Sequence, residues 1–233
     1  MIKFLYSIGM TDAMITSSVI TIVLSAVAIA GGRALKKNGD VKSSGGKLQT
    51  ALEIAVEKLY NFFEGIMGEY ACRKYFPLVA TIFIYILCCN YSGLLPMAGH
   101  FPGLKPPTSS INFPMGIAVV VFFATQIIGI REAHGIRFFK HLFQPVAFIF
   151  PIMFAEQFVR PLSLTLRLYG NVYGEEAVIS SFFDMVPLLL PIPMQVLSIL
   201  MGAVQALVFS LLTAIYIGEA VEAGEHLRKD SHH

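Results

Sequence analysis

MVPLLLPIPMQVLSILMGAVQALVFSLLTAIYIG, residues 185–218, decides what kind of protein this is. Between Asp184 and Glu219 no Asp, Glu, Lys or Arg occurs, and a helix needs only about 20 apolar residues to cross a bilayer. The rest of the chain agrees. It has 233 residues, is 55% hydrophobic and 14% charged, and has a mean hydropathy of +0.68. A soluble domain is about one quarter charged, so much of this surface must meet something other than water. The length alone would allow one or two soluble domains, but the uncharged stretches overrule that reading. A formal charge of +2 is too small to imply a nucleic-acid partner.

Working outward from that run, Met194–Ile217 reads as a final crossing, and Pro187, Pro191 and Pro193 as a hairpin turn before it. Upstream, Pro145–Leu190 is too long for one upright helix at about 1.5 Å per residue. It carries Glu156, Arg160, Arg167, Glu175, Glu176 and Asp184, and Pro161 is placed to kink it. Earlier crossings are expected at Ala13–Ala30, ended by Gly31-Gly32, at Phe76–Leu95 and at Met115–Ile130. The loop MAGHFPGLKPPTSSINFP, residues 97–114, has prolines and glycines that argue against regular structure. In Leu48–Tyr70, apolar residues recur at helical spacing (Leu48, Leu52, Val56, Leu59, Phe63, Met67) among Glu53, Glu57, Lys58 and Glu64. That pattern fits an amphipathic helix on a membrane surface or a partner rather than a span. The expected fold is therefore an all-α membrane protein, one membrane domain over residues 1–233. Five segments cross, the last two long and tilted as a hairpin, with one surface amphipathic helix beside them.

Basic residues orient the chain. Arg33, Lys36, Lys37, Lys42 and Lys47 follow the first crossing, and Arg131, Arg137 and Lys140 follow the third. The loop after the second offers only Lys105. The positive-inside rule then puts the N-terminus outside and the C-terminus, with its polar tail EAVEAGEHLRKDSHH, in the cytoplasm. The first apolar run follows Met1–Asp12 and lacks a small-residue cleavage site, so it reads as a span and not as a signal peptide. Cys72, Cys88 and Cys89 form no metal or disulfide framework and read as small soft hydrophobes. No internal repeat of the kind that builds a two-halved transporter is visible.

The charges inside the apolar sequence carry the functional question. A charge at the centre of a spanning helix costs roughly 3 kcal/mol on insertion scales. Arg167 has no acidic neighbour at three or four residues to offset this; those positions hold Ser163, Leu164, Gly170 and Asn171. Its partner lies elsewhere in the chain or on another protein, unless the arginine snorkels or caps backbone carbonyls. Asn171 is one turn on and Glu175 a turn further, a polar stripe along one face, while Glu176 is rotated by about 100° from Glu175. Two aqueous paths on two faces of one helix would look like this, and so would a solvated helix end. In the final crossing Gln195, Ser198, Gly202 and Gln205 fall on one stripe. Such residues mediate helix packing; facing Arg167, Gln205 is also able to offer a carbonyl to the guanidinium.

RPLSLTLRLYGNVYGEE, residues 160–176, resembles the signature of subunit a of the F-type ATP synthase. Pro161, Leu166, Arg167, Leu168, Gly170, Asn171 and Glu176 match it, with Tyr169 in place of the usual Phe. PTSSIN, residues 107–112, resembles the family's P-T-A-D-I-N, and QALVFSLLTAIYI, residues 205–217, its last helix. The resemblance implies that Arg167 faces a ring of c subunits, each bearing one intramembrane carboxylate. Two half-channels, one open to each side, end near it. Glu176 would line the outer half-channel and Gln205 would lie beside the arginine. The b subunits of the peripheral stalk and membrane lipids are the other expected partners; the ion is H⁺ or Na⁺, and the setting is a bacterial plasma membrane. Ser198 stands where some bacterial members carry a histidine, and Ser110 where the loop usually has an aspartate, so a proton relay through Ser198 is not expected. No cofactor is expected, and without a nucleotide-binding motif the chain alone is not expected to hydrolyse ATP. A secondary transporter that binds an anionic substrate at Arg167 is the competing reading, and a membrane scaffold whose buried charges only fix assembly is a third.

Overall fold

The computed structural model describes residues 11–37, 47–93, 106–132, 150–185 and 191–229. They form helices α1 (Asp12–Lys37), α2 (Lys47–Met67), α3 (Glu69–Ser92), α4 (Asn112–Glu132), α5 (Phe150–Met185) and α6 (Pro191–Lys229). A 3₁₀ turn, Pro107–Ser109, precedes α4. No strand occurs among the described residues. The segments that hold Lys42, Lys105, Arg137 and Lys140, the stretch 145–149, the link 186–190 with Pro187, and the last residues of the tail lie outside the described residues.

Among the described residues, four helices are long and apolar enough to cross a bilayer: Asp12–Ala30 within α1, then α3, α4, and Gln195–Glu222 within α6. The chain is a multi-pass membrane protein. α5, expected as the fifth crossing, is not among these four, and Arg160, Arg167, Glu175 and Glu176 interrupt its apolar sequence.

Helix ends depart from expectation: α1, α4 and α6 run further at both ends, α3 starts earlier but ends at Ser92 rather than Leu95, and α5 is described as Phe150–Met185 of the expected 145–190. α1 runs through Gly31-Gly32 to Lys37. Two helical glycines cost about 1 kcal/mol each, less than the several kcal/mol of leaving backbone groups unbonded at the edge of a bilayer. α6 begins at Pro191, since a proline in the first turn has no hydrogen bond to lose there. It continues past Ile217 to Lys229, because the tail is built of strong helix formers such as Ala, Glu, Leu, Arg and Lys. The change to charged residues marks where the apolar medium ends, not where the helix does. α5 is continuous through Pro161. α3 starts at Glu69, so only Gly68 separates it from α2. Gly68 has φ +78°, the left-handed region open to glycine at little cost, and this one residue makes the corner.

Two apolar clusters hold the helices, and α6 runs through both. One joins Phe63 and Met67 of α2, Ala71, Cys72 and Val79 of α3, Ile128 of α4, and Ala214, Ile217 and Val221 of α6. The other joins Ile86, Ala118, Val121, Leu164, Leu168, Ala206 and Phe209 from α3, α4, α5 and α6. The lower half of the α2 stripe, Leu59, Phe63 and Met67, is thus spent on the chain's own core, while Val56 remains 53% exposed. Cys72 and Cys89 are buried, Cys88 is half-buried, and all three are free thiols. At the charged end of α4, Glu132 accepts from Lys74 Nζ and Tyr75 Oη, both at 2.6 Å, and ties α4 to the start of α3. α1 stands apart, touching α3 through Thr21 and Tyr85 (3.3 Å) beside a mostly apolar cavity of about 930 Å³ shared with α3 and α4.

Candidate functional site

Leu164, Thr165 and Leu168 are buried on the inner side of α5, the two leucines in the second cluster, whereas Leu166 and Arg167 between them turn the other way. Arg167 is exposed there, and Leu162, Leu166, Gly170 and Tyr173 around it are exposed too. Among the described residues no carboxylate comes within ion-pair distance of its guanidinium. Arg167 sits at the middle of α5, about 26 Å from either end at about 1.5 Å per residue. Snorkelling to a helix end is therefore out of reach. A permanent cation in the middle of an apolar outer face needs a partner that this part of the chain does not supply.

Asn171, one turn on, is half-buried and faces α6, where its Nδ2 donates to Gln205 Oε1 at 2.8 Å. The two residues lie equally far along the chain from the helix ends that the link 186–190 joins, as they must in an antiparallel hairpin. The carbonyl that the sequence offers to Arg167 is thus taken by Asn171. Glu175 is half-buried a further turn on. Glu176 follows it in α5, its side chain outside the described residues.

The α6 stripe divides. Gln195 faces outward, whereas Ser198 (3% exposed), Gly202 and Gln205 (4%) are buried. Gly202 meets the end of α3: Asn90 Nδ2 donates to its carbonyl at 3.0 Å, and Tyr91 Oη donates to the Ile199 carbonyl at 3.2 Å. A methyl group at Gly202 would stand 3.3 Å from Asn90 Cβ. The packing reading of the stripe holds at Gly202.

Four buried polar atoms have no hydrogen-bond partner among the described residues: Asn90 Oδ1, Thr108 Oγ1, Ser198 Oγ and Gln205 Nε2. Left dry, each costs about 1–3 kcal/mol, which makes them natural contacts for buried water. Sequence reasoning named Ser198 and Gln205 and missed the other two. Asn90 was legible as a lone amide ending the apolar run FIYILCCN. Thr108 lies in the PTSSIN loop, where the 3₁₀ turn buries it completely.

Comparison with known proteins bears on this arrangement. The family model described as "ATP synthase A chain" matches residues 14–218. "ATP synthase subunit a" of Moorella thermoacetica is 45% identical over 174 residues, 74% of this chain and 76% of the relative. "ATP synthase subunit a 3" of Pelobacter propionicus is 44% identical over 186 residues, 78% of each. "ATP synthase subunit a" of Geotalea daltonii is 38% identical over 220 residues, 93% of this chain and 90% of the relative.

Proposed function

The chain belongs to the ATP synthase A chain family, and on that premise we propose that Arg167 is the fixed charge that couples ion passage to rotation. The observation that carries the proposal is its place: a guanidinium at the middle of α5, on an exposed apolar face, with no carboxylate of the described chain beside it. Family membership gives the chain a role in the membrane sector of an ATP synthase and association with its c ring. Arg167 then meets the ring's carboxylates one at a time. α5 would be the fifth crossing. Its 36 residues span about 54 Å against about 30 Å of hydrocarbon, so it would tilt or project beyond it, with Arg167 near the midplane.

The chemistry follows from charge. A guanidinium stays protonated in proteins. Close to a passing carboxylate it favours the ionised form and so the release of H⁺ or Na⁺. It also repels any second cation that would slip directly from one half-channel to the other. Asn171 and Gln205 fix the side of α5 next to it. Ser198 and Gln205, whose buried polar atoms want water, line a path together with Glu175 and Glu176. Glu176 belongs to the outer half-channel. The transporter reading would need the chain to cradle Arg167 around a substrate, and its exposed position among Leu162, Leu166 and Tyr173 speaks against that. The test is ATP-driven ion pumping by the reconstituted complex, with and without Na⁺, carrying Arg167 variants at matched assembly.

Two further expectations belong here. Glu176→Gln slows ion flux roughly tenfold while the complex stays assembled, as losing a positioned proton-transfer group costs about 10²-fold or more only when it is obligatory. Glu175→Gln has the smaller effect. Equal, negligible effects in vesicle acidification would return both to a solvated helix end. Separately, α2 lies along the cytoplasmic surface against b subunits or lipid headgroups, with the N-terminus outside and the C-terminus in the cytoplasm of a bacterial plasma membrane. Cysteines at Glu57, which is exposed, and Glu64, half-buried, should react with an impermeant maleimide in inverted vesicles only. Efficient labelling from the outside would overturn this topology.

A further inference from the structure

We infer that Asn90 and Tyr91, at the end of α3, set the rotation of α6 and thereby hold Gln205 against Asn171. They are positioning residues, acting on the site from its far side. Apolar packing along α3 and α6 is non-directional and leaves a helix free to turn by a fraction of a residue at little cost. A hydrogen bond to a backbone carbonyl is directional. Here there are two, one to Ile199 and one to Gly202, almost a turn apart on the same side of α6. Each carbonyl keeps its helical bond and uses its second lone pair for the side chain.

The seat is built for this contact. Gly202 is buried and has no side chain, so α6 closes onto Asn90 and Tyr91; an added Cβ would lie 3.3 Å from Asn90 Cβ and 3.5 Å from Tyr91 Cε1. Asn90 is 9% exposed, and of its buried amide the Nδ2 bonds the Gly202 carbonyl while the Oδ1 has no partner among the described residues. Gln205 is on the same buried stripe as Gly202, less than one turn on, and bonds Asn171, one turn from Arg167. Turning α6 by one residue, about 100°, would put Val204 or Ala206 where Gln205 stands. The register claim stands on this geometry; its consequence for coupling rests on the reading of Arg167 given above. A stator face pressed sideways by a moving ring must keep its acceptor in place.

The experiment uses the assembled complex with the native cysteines replaced. Cysteines at positions 171 and 205 should be joined readily by a short bifunctional thiol reagent, because the amides that they replace touch. In the Asn90→Leu background that yield should fall at least threefold, with cross-linking from position 171 to 204 or 206 appearing instead. With Asn171 and Gln205 native, Asn90→Leu should lower coupled pumping about tenfold and raise passive leak at matched assembly, since a small misplacement can cost up to about 10²-fold. A merely structural loss would lower pumping and leak together. Tyr91→Phe removes one hydroxyl and keeps the ring, and should shift the cross-link in the same sense but less; it carries the comparison if Asn90→Leu does not assemble. An unchanged 171–205 cross-link in both variants overturns the inference. A shifted cross-link in a protein whose Arg167→Ala variant still pumps would leave the register intact and sink the coupling role instead.

Discussion

Arg167→Ala stops ATP-driven pumping and ion-driven synthesis, to below about one hundredth of the native rate, while passive ion uptake through the membrane sector persists or rises. A unit charge at about 4 Å and an effective dielectric constant of about 20 is worth roughly 4 kcal/mol, or about three pH units for the carboxylate that meets it. Without it, a carboxylate entering an apolar interface holds its ion, and the release step slows about a thousandfold. The same substitution removes the repulsion that keeps ions from crossing between half-channels, so the leak has no reason to fall. Arg167→Lys keeps a charge but loses the planar fork, and a desolvated ammonium is able to give up its proton. Lysine should therefore be inactive in coupled pumping and less leaky than alanine. Arg167 is exposed on the chain's outer face and touches no described carboxylate, so neither change should unfold the subunit. Substantial coupled pumping by Arg167→Ala at matched assembly would end the proposal.

How much of this was legible in the sequence depends on what each feature is made of. The uncharged run before Glu219 announced a bilayer, and the helices at α1, α3, α4 and α6 followed from length and apolarity. α5 was expected as a fifth crossing too, but less plainly, because the charged residues that point to a function also lower its hydropathy. Helix ends were misplaced wherever a change in composition was taken for a change in backbone, as at Gly31-Gly32 and beyond Ile217.

Which way each polar residue faces was half legible. Steps of four residues in a helix advance about 400°, so a stripe drifts by about 40° per turn. Arg167, Asn171 and Glu175 share a stripe by spacing, yet the drift takes Arg167 onto the outer face and Asn171 into the seam with α6. Asn90 was hidden for a different reason. Its partner is a backbone carbonyl in Gly202, 112 residues away, and nothing in a sequence marks an unusual carbonyl. Gly202 itself was visible as a small residue on a stripe, but not what would close on it.

The amide pair Asn171–Gln205 should show unequal costs when broken from its two sides. Asn171→Leu leaves Gln205, 4% exposed and already with an unpartnered Nε2, without any partner for its carbonyl. That orphan costs about 1–3 kcal/mol in a dry seam, toward the lower end if membrane-embedded polar pairs average well under 1 kcal/mol. Gln205→Leu removes the buried amide altogether and leaves Asn171, which is half-buried and able to turn to water. It should cost less stability. Replacing both by Leu removes donor and acceptor together, a change that is often nearly neutral. The double variant should then be more stable than Asn171→Leu alone, with an interaction energy of about 1 kcal/mol in the cycle. Function should follow the opposite logic. All three variants change the polar surroundings one turn from Arg167, and coupled pumping should fall roughly tenfold in each, because misplacing a positioned charge costs up to about 10²-fold. The measurements are thermal dissociation of the purified complex and ATP-driven acidification in vesicles at matched assembly. Strictly additive stability losses would show that the 2.8 Å contact contributes nothing. Native pumping by the Leu/Leu variant would show that the pair is packing alone and that Arg167 needs no help from α6.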